Sequence, residues 1–136
     1  LQAAVLLAKL THLFGFEKQR RAVAARYDEA LVSMDGLAIP ARTVDSSHVF
    51  HQYTITCESS AMRDALKLYL NEQGIPSMIY YPIPLHLQTA YKQIVNLTIS
   101  EDLCKRVLSL PICPELDVEQ QDYIINNIQN FIQKSQ

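Results

Sequence analysis

Glycine is scarce in this chain, three in 136 residues, and no Gly-rich run is present to cradle a phosphate. Also missing are the Gly-x-Ser-x-Gly turn of serine hydrolases, the His-Glu-x-x-His pair of zinc proteases and an acidic pair placed for glycoside chemistry. No active site is complete within these residues. Cysteine occurs as an odd set, Cys57, Cys104 and Cys113, whose wide and uneven spacing fits neither a disulfide framework nor a zinc knuckle. Three reduced, mostly buried thiols in a cytoplasmic protein are expected. His12, His48, His51 and His86 show no paired ligand motif, so no metal is expected. The longest uninterrupted apolar run, residues 3–8, falls far short of the roughly 20 that a membrane span needs, so no membrane partner is expected. Neither sign of charge dominates. Twelve Lys and Arg against fourteen Asp and Glu give −2, and the basic residues are scattered apart from Lys18, Arg20 and Arg21, which argues against nucleic acid.

What is present is the apolar supply of a globular protein: 49% hydrophobic and 19% charged residues, enough for one domain with a core that needs no staples. The chain opens at Leu1 without an initiator Met, directly in a helical pattern, and is expected to be cut from something longer. Residues 1–14 are apolar nearly all round, which predicts a helix covered on most sides by a partner surface. From Glu17 the pattern becomes amphipathic, with Val23, Tyr27, Ala30, Leu31 and Met34 on one stripe and Gly36 as a stop. Residues 39–47 read as a connector.

Residues 49–57 alternate and predict a strand with Val49, His51, Tyr53, Ile55 and Cys57 on the buried face, making His51 a core histidine. Ser60 is placed to cap a helix with the stripe Met62, Leu66, Tyr69 and Leu70, closed by Gly74, with Arg63 on its solvated side. A short strand follows at 78–81, then a helical turn at 87–91, a helix from Ser100 through Val107 and an extended segment at 108–112. Asp117 and Gln120 form a capping box for a last helix whose stripe is Ile124, Ile125, Ile128, Phe131 and Ile132 and whose other face is solvated Asn and Gln. The expected fold is α/β: a short three-stranded sheet covered by helices and preceded by two connecting helices.

Chemistry concentrates just past the strand at 78–81, in Tyr80-Tyr81-Pro82-Ile83-Pro84-Leu85-His86-Leu87-Gln88. Two prolines fix backbone angles there, so ordering the loop on binding costs little. Tyr81 and His86 are read as ligand-facing, offering groups suited to sugar hydroxyls, a carboxylate or a diphosphate. Tyr80 reads instead as a buried ring, because alternation sends one tyrosine inward. His48, at the strand entrance, stays open between the two readings.

Five stretches then fall in a familiar order: Leu-Gln-Ala-Ala-Val-Leu-Leu-Ala-Lys-Leu at the start, Arg21 through Tyr27, Ser47-His48-Val49-Phe50-His51-Gln52-Tyr53, Gly74-Ile75-Pro76, and Tyr81-Pro82-Ile83-Pro84-Leu85-His86-Leu87-Gln88 with Leu108-Ser109-Leu110-Pro111-Ile112. Together they resemble the carboxyl-terminal part of the DegT/DnrJ/StrS sugar aminotransferases, over essentially the whole chain. The resemblance implies the small C-terminal domain of a fold type I, aspartate-aminotransferase-like enzyme at residues 37–136, with residues 1–36 as helices joining it to a missing large domain. It implies a parent that uses pyridoxal 5'-phosphate to move an amino group, usually from glutamate, onto a nucleotide-linked keto sugar, and that is a homodimer. The Schiff-base lysine and most of the cofactor site would lie in the large domain, since Lys9, Lys18, Lys67, Lys92, Lys105 and Lys134 fall outside the family's lysine motif. The substrate-binding residues implied here are Tyr81 and His86, joined by Tyr80 and His48, and the loop wording is closer to members acting at sugar carbon 3. By itself this chain is expected to be inactive. A stand-alone binding module with the same fold, and a sugar dehydratase relative, are the competing readings.

Overall fold

The computed structural model describes residues 1–91 and 93–135, with Lys92 and Gln136 outside the described residues. Five α-helices and a three-stranded antiparallel sheet are present among them: α1 (Gln2–Leu10), α2 (Leu13–Leu31), β1 (Leu37–Ala38), β2 (Tyr53–Cys57), α3 (Ser60–Glu72), α4 (Thr98–Arg106), β3 (Val107–Leu110) and α5 (Val118–Ser135). The sheet order is β1-β2-β3, with Leu37 opposite Cys57 and Tyr53 opposite Leu110.

The helix expected over 1–14 is divided at Thr11, whose hydroxyl donates to the Ala8 carbonyl while the His12 amide donates to Lys9. None of the residues of α1 is buried, and Phe14 at the start of α2 is 83% exposed. The second half of α2 behaves differently: Val23, Ala24, Tyr27 and Leu31, at helical spacing, all enter the core. Gly36 follows at φ +74°, and a Cβ there would sit 3.0 Å from the Met62 side chain, so both conformation and space select glycine.

β2 forms the centre. Tyr53, Ile55 and Cys57 alternate inward with no exposed surface, as the sequence pattern requires. The strand begins four residues later than expected, because Phe50 takes φ +50° and breaks the alternation. Phe50 therefore occupies the core while Val49 and His51 turn outward, which corrects the assignment of His51 as a core histidine. The third strand is also displaced. Residues 78–81 contribute one bridge, Met78 with Ser109, between Pro76 and Pro82, which interrupt the ladder, and the missing strand is β1, in a stretch read as leading into a connector.

Ser59, not Ser60, caps α3, its hydroxyl accepting from the Met62 amide at 3.1 Å. Leu66 and Leu70 point into the core. Arg63 is buried rather than solvated, donating to Asp64 and to the carbonyls of Cys104 and Val107, because the end of α4 lies across it. The capping box of α5 forms as written: the Gln120 amide donates to Asp117 at 2.7 Å and the Asp117 amide to Gln120 at 3.3 Å. Its polar face is not wholly solvated. Gln121, only 2% exposed, donates to the Val23 carbonyl at 2.7 Å, and buried Asn127 donates to the Tyr123 carbonyl and accepts from the Tyr69 hydroxyl. These bonds are how α5 is fastened to α2 and α3, since a buried amide must be satisfied.

Leu66→Ala should cost about 2–5 kcal/mol, the range for emptying a filled core position, whereas Ser59→Ala should cost about 1 kcal/mol as a lost cap. Urea unfolding followed by circular dichroism measures both, and equal losses would contradict this packing.

Candidate functional site

The segment between α3 and α4 carries the functional candidates on a frame of backbone bonds. Met78 and Ser109 exchange both amide-carbonyl bonds, at 3.1 and 2.7 Å, which fixes where the segment leaves the sheet edge. Past it, Pro82 and Pro84 precede a short 3₁₀ turn at Leu85–Leu87. The Gln88 side chain donates back to the Ile83 carbonyl at 3.3 Å, and the Tyr91 amide donates to Gln88.

Tyr80 is exposed, contrary to its reading as a buried ring, because without a strand at 78–81 there is no alternation to turn it inward; Tyr91 is exposed as well. Tyr81 is 68% exposed, and its ring meets that of Tyr80 edge-on at 5.8 Å. The two phenols nevertheless line different hollows. Tyr81 borders a cleft of about 370 Å³ with Pro82, Ile83, Leu87 and Gln88. Tyr80 borders one of about 310 Å³ with His51, Gln52, Ser77 and Pro111, in which the Ser77 hydroxyl is buried with no hydrogen-bond partner among the described residues.

His86 lies on the same loop but is 6% exposed. Its Nε2 is 3.1 Å from Oε1 of Glu101, in the first turn of α4, and the same oxygen accepts the Leu97 amide at 3.2 Å. These bonds, with the His86 contact the larger, hold the Glu101 carboxyl below the usual carboxylate range.

His48 stands apart. It borders a third cleft, about 460 Å³, with Arg21, Asp28, Arg42 and Phe50. Its Nδ1 accepts the Phe50 amide at 2.9 Å, and its carbonyl accepts from Arg21 at 3.0 Å. Phe50 is held from every side: Arg20 donates to its carbonyl at 3.0 Å and the Arg42 guanidinium lies 3.9 Å above its ring. Arg42 pairs in turn with Asp28, which accepts the Tyr53 hydroxyl at 2.8 Å. The structure thus brings Tyr80, Tyr81 and His86 onto one loop and gives His48 to a neighbouring hollow. Sequence reasoning missed Arg20, Arg42 and the Glu101 contact. All three depend on pairing across the fold, and only the acidic first turn of α4 was visible beforehand.

Cys57 is buried, Cys104 and Cys113 are half-buried, and all three are free thiols. Burial pushes the Cys57 thiol up to about 11, against the opposing pull of Arg63 and Arg106. No group of three His, Cys, Asp or Glu among the described residues is arranged to hold a metal, and no described helix is long and apolar enough to cross a membrane.

The sequence model of the DegT/DnrJ/EryC1/StrS aminotransferase family matches residues 1–129. A "Pleiotropic regulatory protein" of Geobacillus stearothermophilus is 43% identical over 137 residues, covering 96% of this chain and 36% of its own length. The UDP-N-acetyl-3-dehydro-alpha-D-glucosamine 3-aminotransferase of Acidithiobacillus ferrooxidans is 43% identical over 122 residues, covering 88% of this chain and 32% of its own length. Among solved structures, S. venezuelae DesV in complex with a ketimine intermediate is 34% identical, with TM-score 0.89 over 96% of this chain and 36% of that one. The chain spans about a third of the length of the curated relatives it matches.

Because the folded Cys57 thiol titrates near 11 and an ordinary one at 9.0, its contribution to stability is whole below pH 9 and is lost as the pH rises through 11. Tyr27 and Tyr53, also raised by burial, act in the same direction at higher pH. Denaturation midpoints from pH 7 to 11 should fall, and Cys57→Ala should flatten the fall between 9 and 11. An unchanged slope in that variant would contradict the burial of the thiol.

Proposed function

The chain belongs to the DegT/DnrJ/EryC1/StrS aminotransferase family, and from that premise we propose that it is one part of a pyridoxal-phosphate-dependent nucleotide-sugar aminotransferase, the part that forms a wall of the acceptor pocket. Residues 37–136 act as the small domain. Residues 1–36 join it to the rest of the enzyme, a role supported by the apolar side chains that α1 leaves uncovered, Leu6 and Leu7 among them. The parent in this reading is a cytoplasmic homodimer that takes its amino group from glutamate and delivers it to a keto sugar at carbon 3, the position named in the activity of the Acidithiobacillus relative.

The described lysines do not suit the cofactor. Lys9, Lys18, Lys105 and Lys134 are exposed and Lys67 is half-buried, whereas a Schiff-base amine needs a desolvated or cation-flanked setting. Lys92 lies outside the described residues. No step of the reaction is therefore assigned to this chain's own lysines, and the electron sink belongs to the remainder of the enzyme.

What this chain supplies is position. The observation that carries the reading is a pair of exposed phenols, Tyr80 and Tyr81, on a loop braced by two prolines and anchored by a buried histidine. Phenol hydroxyls donate and accept, as sugar hydroxyls and diphosphates require, and a loop already ordered loses little entropy when they bind. The acceptor wall in this reading is the loop with Tyr81, Tyr80 and His86, and His48 adds to it from the neighbouring hollow.

A second reading, a stand-alone binding module, draws on the uncovered face of α1 and on the regulatory name of the Geobacillus relative. One assay separates the two. In the full-length polypeptide, Tyr81→Phe should raise KM for the keto-sugar nucleotide by roughly three- to tenfold, the worth of one hydrogen bond, and leave the glutamate half-reaction unchanged. If the full-length polypeptide has no aminotransferase activity, the module reading replaces this one. If Tyr81→Phe leaves KM unmoved, Tyr81 is not in the wall.

A further inference from the structure

One carboxylate oxygen holds together more of the candidate loop than any other side-chain atom. Glu101 Oε1 receives both the His86 ring, at 3.1 Å, and the Leu97 amide, at 3.2 Å, while the Gln93 amide donates to the His86 carbonyl at 3.0 Å. The contact closes residues 86–97 into a ring fastened to the first turn of α4. Within that stretch Ile94, Val95 and Leu97 all stand exposed, so their side chains add little burial to hold it. The geometry also decides chemistry. An ionised carboxylate only accepts, so the nitrogen facing it must carry the proton. With Nε2 so committed, a neutral ring keeps its lone pair on Nδ1, which takes no hydrogen bond among the described residues.

We propose that Glu101 is a positioning residue of the acceptor wall: it fixes the ring orientation of His86 and its Nε2–H tautomer, presenting Nδ1 as an acceptor for a donor group of the sugar nucleotide. The proposal rests on the functional reading above, because it takes His86 to face the acceptor. The His86 and Leu97 hydrogen bonds favour the ionised Glu101 carboxyl, which agrees with it and keeps the carboxylate charged across the neutral range.

Nitrogen-15 spectra of the histidine rings in this 136-residue chain test the latch without any activity. His12, His48 and His51 are exposed and serve as internal controls, and His86→Gln identifies the signal. The expected result is a His86 Nε2–H proton protected from exchange at neutral pH, with Nδ1 at an unprotonated shift. Glu101→Ala should speed that exchange roughly tenfold or more, as losing a charge-assisted bond requires, and Glu101→Gln, which keeps an acceptor oxygen, should restore much of the protection. A wild-type His86 protonated on Nδ1, or exchange unaltered in Glu101→Ala, overturns the proposal, and the wild-type spectrum decides even if that variant fails to fold.

In the full-length enzyme Glu101→Ala should raise the acceptor KM while the glutamate half-reaction stays constant. An intact latch with acceptor KM unmoved in Glu101→Ala also overturns the positioning role. An intact latch in a full-length polypeptide lacking transaminase activity overturns the functional reading instead.

Discussion

Two tyrosines with no exposed surface set the geometry on which the rest of the domain depends. Tyr27 of α2 and Tyr53 of β2 bring their rings to 4.9 Å, and each then has a hydroxyl deep in the core that must find an acceptor. Tyr27 finds the Pro111 carbonyl at 2.9 Å and Tyr53 finds Asp28 at 2.8 Å. Apolar contact alone would let α2 slide along the sheet, but two directed bonds with different partners admit one register. Burial raises both hydroxyls far above the usual tyrosine range, so they remain neutral donors. Because Pro111 also borders the hollow beneath Tyr80, the core bond and the cleft wall are parts of the same constraint.

The second constraint is the conformation of Phe50. A bulky side chain at φ +50° costs on the order of 1–3 kcal/mol and persists only where its surroundings over-determine it. Here the ring is buried, a guanidinium covers it, the amide is taken by His48 and the carbonyl by Arg20. The result is a change of parity just ahead of β2. His51 and Gln52 then line the cleft that holds the Ser77 hydroxyl, which has no partner among the described residues. A regular strand from residue 49 would have carried His51 into the core and left that cleft without its polar rim.

The parts of this fold legible in sequence are those governed by local rules. The stripe of α5, its capping box, the inward face of Tyr53, Ile55 and Cys57 and the glycine stops at 36 and 74 all follow from spacing within a few residues. The illegible parts are decided across the fold. Two-residue β1 has no pattern of its own and exists because Cys57 and Thr56 offer it partners. Residues 78–81 have the composition of a strand, yet one bridge forms. Arg63, Gln121 and Asn127 look like surface residues, and each is buried because a carbonyl or side-chain partner from another element waits for it. The candidate loop was visible through its prolines and aromatics. The exposure of Tyr80 and the burial of His86 were not, because the first depends on the ladder stopping at Met78 and the second on Glu101 of α4.

Among the described residues between α3 and α4 there is no regular strand and one 3₁₀ turn, yet single interactions fix much of the course. The means differ along its length: a two-bond bridge at Met78, fixed proline angles at 82 and 84, a side-chain return from Gln88 to Ile83, then the His86 to Glu101 contact. Each is a single interaction of modest worth, so no one of them confers the stiffness that a sheet ladder would. Distributed in this way, they order the backbone while the Tyr80 and Tyr81 rings meet each other and their hydroxyls take no hydrogen bond among the described residues. Side chains held by their backbone rather than by their own bonds keep their hydrogen-bonding capacity for something else. The contrast is with the core, where the Tyr27 and Tyr53 hydroxyls each have an acceptor: one pair of tyrosines sets the register of the fold, and the other adds nothing to it.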